Sequence, residues 1–291
     1  TFKQLTLLAI FGIVAVVLTI ATSVKVLSVP QPNEVTTAQT TILYYDDGVT
    51  ELGRLGEANR VSVPIDEVPL LTQRAVLAAE DRQFYEHDGF SIRGIARALY
   101  TNLTGASGAG GGSTITQQYA KNAYLTQERS FTRKYKELIL SIKLETIVNK
   151  DKILSDYLNT IYFGRGAYGI ETAANQYFGK SVGDLDLAES AVIAAIVQAP
   201  NALSPEENLD GLTSRWNYVL DGMLTQGWIS QEERDSVKFP KIDEYKPVNT
   251  FGGPKGYLIE QVRQVMYENG ITDDQINLAG LRVVTTFNQV A

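Results

Sequence analysis

The chain has 291 residues, 44% of them hydrophobic, with 26 Lys and Arg against 33 Asp and Glu for a formal net charge of −7. That balance describes a folded chain of one large or two smaller domains, and its acidity argues against a nucleic-acid partner, which asks for a basic face. With no cysteine and a single histidine, His87, disulfides, thiolate metal sites and multi-histidine zinc sites are excluded, so any metal would be a hard cation held by oxygen ligands.

The stretch from Gln4 to Val24, QLTLLAIFGIVAVVLTIATSV, carries no charge and is flanked by Lys3 and Lys25. At about 1.5 Å per residue, a helix of that length spans a hydrocarbon core of about 30 Å. A secretory leader would use an apolar region of only about 7–15 residues, so residues 4–27 read as an uncleaved transmembrane anchor. One lysine on each side leaves orientation open, and the opening Thr1 in place of Met points to a missing natural start. Residues 28–60 follow as a spacer and β-hairpin linker. VPQPNEVTTAQ (29–39) has two prolines and no apolar period, and TILYYDDGVTELGRL sets Asp46-Asp47-Gly48 between two β-rich runs.

From Val68 to Asn269 nearly everything reads as helix. Ile153, Leu154, Tyr157, Leu158 and Ile161 form one apolar stripe, and DLAESAVIAAIVQAP predicts a core helix stopped by Pro200. Ser204 (SPEE) and Ser230 (SQEE) each read as the N-cap of a capping box, the first with Pro205 at the first helical position. The closing GLRVVTTFNQVA alternates like a strand.

Within the helical part, four stretches are candidates for chemistry. In LAAEDRQFYEHDGF (77–90) an apolar run meets Glu80 and Asp81. A carboxylate where water is scarce has a raised pKa and can exchange protons, whereas the plainer reading makes both acids the start of a solvated helix face. In GASGAGGGSTITQQYAKN (105–122) the glycines up to Gly112 predict a loop entering a helix capped at Ser113 or Thr114, either a connector or a gate around a ligand. No Gly-Lys-Ser/Thr follows, which argues against a nucleotide.

From Lys121 to Lys136 five basic residues, Lys121, Arg129, Arg133, Lys134 and Lys136, face the single acid Glu128. They form a solvated face or a site for phosphate, diphosphate or lipid headgroups. Next along the helix, Lys134, Glu137, Ser141 and Glu145 share a stripe, so Glu137 is either tied to Lys134 or Ser141 or is a second functional carboxylate. GFSIRGIARALYTNL places Ile92, Ile95, Ala96, Leu99 and Leu103 on one face beside Arg93 and Arg97, as a core helix or an interfacial one.

EDRQFYEHDG (80–89), GGSTITQQYAKN (111–122), RKYKE (133–137), KILSDYLNTIYFG (152–164) and AESAVIAAIVQAPNALSP (188–205) resemble, in order, the successive motifs of a known family. It is the peptidoglycan glycosyltransferase domain (family 51) of class A penicillin-binding proteins and their monofunctional relatives. The resemblance covers about residues 61–240. It implies a mainly α, lysozyme-like, two-lobed helical glycosyltransferase domain carried on an N-terminal transmembrane helix. A helical extension at 241–279 and the start of a linker towards a transpeptidase domain at 280–291 would follow, with a small β element from the 41–55 hairpin and the 281–287 strand. No Ser-x-x-Lys or Lys-Thr-Gly occurs, so penicillin binding is not expected of these residues.

The resemblance also implies roles. Glu80 would be the general base that takes the proton from the 4-hydroxyl of the acceptor lipid II's N-acetylglucosamine. That oxygen would attack C1 of the donor N-acetylmuramic acid, inverting the α-linkage to β and releasing undecaprenyl diphosphate. Lys121, Arg129 and Lys136 would contact diphosphates, and Glu137 would position the donor or a divalent cation such as Mg²⁺, with no organic cofactor. Ser113, Gln117 and Asn122 would line the acceptor and donor clefts, and Asp81, Phe84 and His87 would hold Glu80, Asp81 and Phe84 being counted with the substrate-binding set. The implied partners are lipid II, the growing undecaprenyl diphosphate-linked glycan, the membrane and a transpeptidase domain, at the outer face of a bacterial cell membrane. Two rival readings are a glycan-cleaving lytic transglycosylase or muramidase and an inactive lipid II-binding scaffold. The cationic, glycine-gated stretch 105–137 argues against the first, the presence of both Glu80 and Glu137 against the second.

Overall fold

The computed structural model describes residues 2–27, 29, 41–55, 61–94, 96, 104, 112–125, 131–245, 254–272, 275–276 and 281–288. Helix α1 spans Phe2–Val26. The expected anchor stretch, 4–27, falls almost wholly on this helix, and among the described residues no helix is long and apolar enough to cross a membrane.

Strands β1 (Thr41–Tyr44) and β2 (Glu51–Leu55) pair antiparallel through the expected hairpin. Its turn holds because the Asp47 carboxylate accepts from the Val49 and Thr50 amides at 2.9 and 2.8 Å while Gly48 takes φ +65°. The helices that follow are α2 (Leu70–Glu80), α3 (Ile115–Tyr124), α4 (Phe131–Ile147), α5 (Lys150–Thr160), α6 (Ile170–Phe178), α7 (Leu187–Ile196), α8 (Leu209–Thr225), α9 (Gln231–Ser236) and α10 (Pro254–Glu268). β3 (Arg282–Val284) then joins β1 in parallel, for the order β2-β1-β3. β3 is shorter than the alternation from 281 to 287 suggests. Beyond Val284 the chain still meets the hairpin through Thr285 to Tyr44 and Asp46 to Phe287 bonds, but not as a regular ladder.

The main core forms around α7, whose residues Ala191 to Ile196 are all fully buried, as its apolar run requires. α2 and α8 pack against it, and Thr72 and Ser190 join α2 to α7 by a 2.8 Å hydroxyl–hydroxyl bond. α3 packs on α4 and α5, where Ile153, Leu154, Tyr157, Leu158 and Ile161 are buried as one stripe. A second, smaller core lies where α10 covers the sheet, with Ile259, Val262 and Met266 against Leu43, Leu52 and Leu55.

Capping boxes close the N-termini of α3 (Thr114 with Gln117), α7 (Asp186 with Glu189) and α9 (Ser230 with Glu233). The box expected at Ser204 does not form. Ser204 Oγ is engaged by its near neighbour Glu206 at 2.6 Å, and Glu206 is drawn into an ion pair with Arg165. Residues 205–207 therefore turn, and α8 starts only after Asn208, whose side chain accepts from the Gly211 amide at 3.0 Å.

Candidate active site

α2 buries Thr72, Ala75, Val76, Leu77, Ala78 and Ala79, and its last residue is Glu80. The packing that holds this face also draws Glu80 inside, leaving its side chain 11% exposed. Glu80 Oε2 accepts from Gln118 Nε2 at 2.8 Å, and Oε1 lies 3.5 Å from Nη2 of Arg215 on α8. Burial raises the Glu80 pKa. The Gln118 hydrogen bond and the Arg215 charge oppose that rise, Asp81 adds to it, and the net direction is upward. The helix C-terminus gives no relief, because the macrodipole there disfavours negative charge. Arg215 is itself shared: its Nη2 donates to Ala79 O at 2.9 Å and its guanidinium lies 4.3 Å over the Tyr218 ring. Glu80 borders a cleft of about 150 Å³ whose wall also includes Arg82, Arg93, Gly112, Ser113 and Tyr218. A carboxylate of raised proton affinity on an open cleft has the attributes of a base.

The loop after α2 is clamped from three sides. Asp81 Oδ2 accepts from the Ile115 amide at the start of α3 at 3.1 Å and is 2.8 Å from His87 Nε2. At Gly89, φ is +82° and its carbonyl accepts from Thr114 Oγ1 at 2.8 Å. A Cβ there would meet Ser141 O of α4 at 2.6 Å, so only glycine lets the loop lie this close. Lys150, the first residue of α5, pairs with Glu145 at 2.7 Å, donates to His87 O and sits 4.5 Å over the Phe84 ring.

Beside this lies a second cleft of about 220 Å³, lined by Ser113, Gln117, Gln118, Lys121, Arg133, Lys134 and Glu137. Lys134 Nζ donates to both Ser113 Oγ and Glu137 Oε2 at 2.8 Å, and Arg133 Nε is 3.1 Å from Glu137 Oε1. Of the alternatives open for Glu137 the structure takes Lys134, with Arg133 added, while Ser141 bonds Leu138 O instead. Three cations against one carboxylate make a wall suited to an anion. The same arrangement does not fit a divalent cation. Both oxygens of Glu137 face positive groups, and among the described residues no three His, Cys, Asp or Glu converge.

Of the expected site residues, the structure thus gathers Ser113, Gln117, Lys121 and Glu137 in one cleft and Glu80 and Asp81 in the other, with Ser113 common to both. Asn122 and the exposed Lys136 line neither of these two. Phe84 is 1% exposed and packs in the main core beneath the loop, which leaves it no face for a substrate. Arg129 and Gly105 to Gly111 lie outside the described residues, as do Ile95, Arg97, Leu99 and Leu103; Ile92 is exposed rather than in the core.

Gln118 and Arg215 also contribute to the site, and both carry a signal in the sequence. Thr114-x-x-Gln117 is a capping-box pattern that commits Gln117 Oε1 to the Thr114 amide at 3.0 Å, so it is the next residue, Gln118, that is free to meet Glu80. Arg215 shares a helical face with Leu212, Trp216 and Val219, and an arginine on an apolar face was the available signal.

The Transglycosylase family model matches residues 47–224. Among curated relatives, penicillin-binding protein 1A of Mycolicibacterium smegmatis is 43% identical over 94% of this chain and 36% of its own length. That of Mycobacterium tuberculosis is 39% identical over 99% of this chain and 36% of its own, and that of Neisseria flavescens 41% over 84% and 30%. The chain thus spans 36% of the length of the first two relatives. A crystal structure of penicillin-binding protein 1A from Haemophilus influenzae is 25% identical over 84% of this chain and 26% of that one, with a TM-score of 0.41.

Proposed function

Because the chain belongs to the transglycosylase family, we propose that it is a peptidoglycan glycosyltransferase that polymerises lipid II into β-1,4-linked glycan strands. The observation that carries this reading is the side-by-side placement of a buried carboxylate, Glu80, and an anion-suited cleft, with Ser113 on the wall of both. Glycosyl transfer from a diphosphate lipid needs those two features together. A glycan-cleaving enzyme needs the carboxylate but not the cations.

In this mechanism the acceptor 4-hydroxyl loses its proton to Glu80 as its oxygen forms a bond to C1 of the donor sugar. The bond from C1 to the diphosphate oxygen breaks on the opposite face, which inverts the anomeric centre. Glu80 is suited to the proton because desolvation raises its proton affinity while Gln118 and Arg215 keep the ionised form accessible. The diphosphate leaves with its electron pair and needs no acid, since Lys121, Arg133 and Lys134 neutralise the developing charge. Glu137 acts here by holding Arg133 and Lys134 in place. A lysozyme-like two-lobed arrangement, a single-pass transmembrane anchor over 4–27 that leaves the catalytic domain at the outer face of a bacterial cell membrane, and a transpeptidase domain further along the natural chain belong to the same proposal.

The test is incubation of the detergent-solubilised chain with labelled lipid II, the products being resolved on a gel. A ladder of glycan strands that is blocked by moenomycin and absent in Glu80→Gln supports the reading. Shortening of preformed glycan without a ladder would replace it with the cleaving enzyme.

A further inference from the structure

We propose that Tyr157 is a positioning residue for Glu80, acting by fixing the orientation of the Gln118 amide that lies between them. Tyr157 lies on α5, fully buried in the main core beside Leu154 and Leu158. Its hydroxyl donates to Gln118 Oε1 at 3.0 Å, and the other end of that amide donates from Nε2 to Glu80 Oε2 at 2.8 Å. The two ends of a glutamine amide are alike in shape and opposite in polarity, so nothing steric prevents a reversal. Reversed, Gln118 would turn its carbonyl oxygen on an ionised carboxylate. The phenol decides the matter from the far side, because an O–H that donates to Oε1 leaves the NH₂ for Glu80.

The direction of this relay is stable to pH. Burial, then the charges of Glu80 and Asp81, push the Tyr157 pKa well above its ordinary value, so the hydroxyl keeps its proton, and its donor role, through neutral pH. If Tyr157 served packing alone, phenylalanine would fill the same space without burying a hydroxyl. The other charged groups near Glu80 are Arg215 from α8 and Asp81 on its own loop, with Arg82 and Arg93 at the cleft wall; Glu189 of α7 is taken by Lys180. The Gln118 amide meets Tyr157 at one end and Glu80 at the other, so removing the phenol oxygen acts on Glu80 through that amide.

This inference rests on Glu80 as the base and is tested so that the two can fail separately. The infrared carboxyl band of ¹³C-glutamate-labelled whole chain in detergent, identified by its loss in Glu80→Gln, is titrated in wild type and Tyr157→Phe. The expected result is a midpoint higher by about 0.5–1 pH unit in Tyr157→Phe, as a weakened hydrogen bond to the ionised form implies. Gln118→Met, which removes the relay without touching α5, moves it the same way, and the double variant moves it no further than Gln118→Met alone. In the polymerisation assay the acid limb of kcat moves up in parallel, lowering kcat about 3–10-fold below neutral pH with KM within about twofold. Superimposable titrations of wild type and Tyr157→Phe, or additive shifts in the double variant, overturn the proposal. A band that shifts in Tyr157→Phe while the wild-type chain makes no glycan would overturn the proposed function and leave the relay standing. If Tyr157→Phe does not fold, an unshifted Gln118→Met is sufficient to overturn it.

Discussion

Replacing Gly89 with alanine tests how tightly the loop that follows Glu80 and carries Asp81 is held. The added Cβ would lie 2.6 Å from Ser141 O, 2.7 Å from Ser141 C and 2.8 Å from Ile142 N, all backbone atoms of α4 with no rotamer to yield. Relieving such an overlap by shifting backbone costs about 1–3 kcal/mol. Holding an L-residue at φ +82° adds about 1–2 kcal/mol. The loop that retreats also stretches the 2.8 Å bond from Thr114 Oγ1 to Gly89 O, which contributes about 0.5–1.5 kcal/mol. Gly89→Ala is therefore expected to lose about 2.5–6.5 kcal/mol, a large part of a typical domain's margin. Urea unfolding of wild type and variant in the same detergent measures it. The fraction that remains folded is expected to polymerise at least about tenfold more slowly, since Asp81 moves with the loop and pulls on Glu80 at the end of α2. A loss below about 1 kcal/mol with an unchanged m-value would refute the reasoning, because the loop would then give way freely.

Glu80→Gln should show the stability signature of a buried carboxylate. The folded-state pKa is raised above the ordinary value of 4.5, so between the two the folded state binds more protons and wild-type stability falls as pH rises. The variant cannot titrate and gains on wild type as pH climbs from about 4.5; a difference that is flat with pH would contradict this. Lys134→Ala removes one of three cations from the second cleft while its side chain is 53% exposed. Stability should change by less than about 0.5 kcal/mol, while affinity for lipid II falls about 5–20-fold at low salt and less at high salt, as a binding titration would read. Asn208→Ala is expected to lower stability by about 1 kcal/mol and Ser204→Ala by much less, in denaturant unfolding; the reverse order would restore Ser204 as the cap of α8.

Much of the helical framework was legible because its causes are local. The stripe from Ile153 to Ile161, the fully apolar α7 and the Ser230 box each depend on spacing within a few turns, and each appears where that spacing puts it. The Ser204 box failed for the opposite reason. The pattern was intact, but Arg165, brought near by the fold, claimed Glu206 and let Asn208 cap the helix instead. Lys136 and Lys134 are both basic residues of one short segment. Only Lys134 turns into the cleft, because the side of α4 that faces α3 was set by packing and not by composition.

Three features are set by local sequence: the alternation of apolar and polar positions that makes the helices, the concentration of cations between Lys121 and Lys136, and the carboxylate at the end of an apolar run. The tertiary structure alone decided that Gln118 rather than Gln117 meets Glu80, that Arg215 lies 3.5 Å from that carboxylate, and that Glu137 sits between two cations. The division has a physical cause. Capping and helical periodicity act between residues a turn or two apart, whereas the environment of a buried charge is supplied by whichever distant helices the hydrophobic core presses against it.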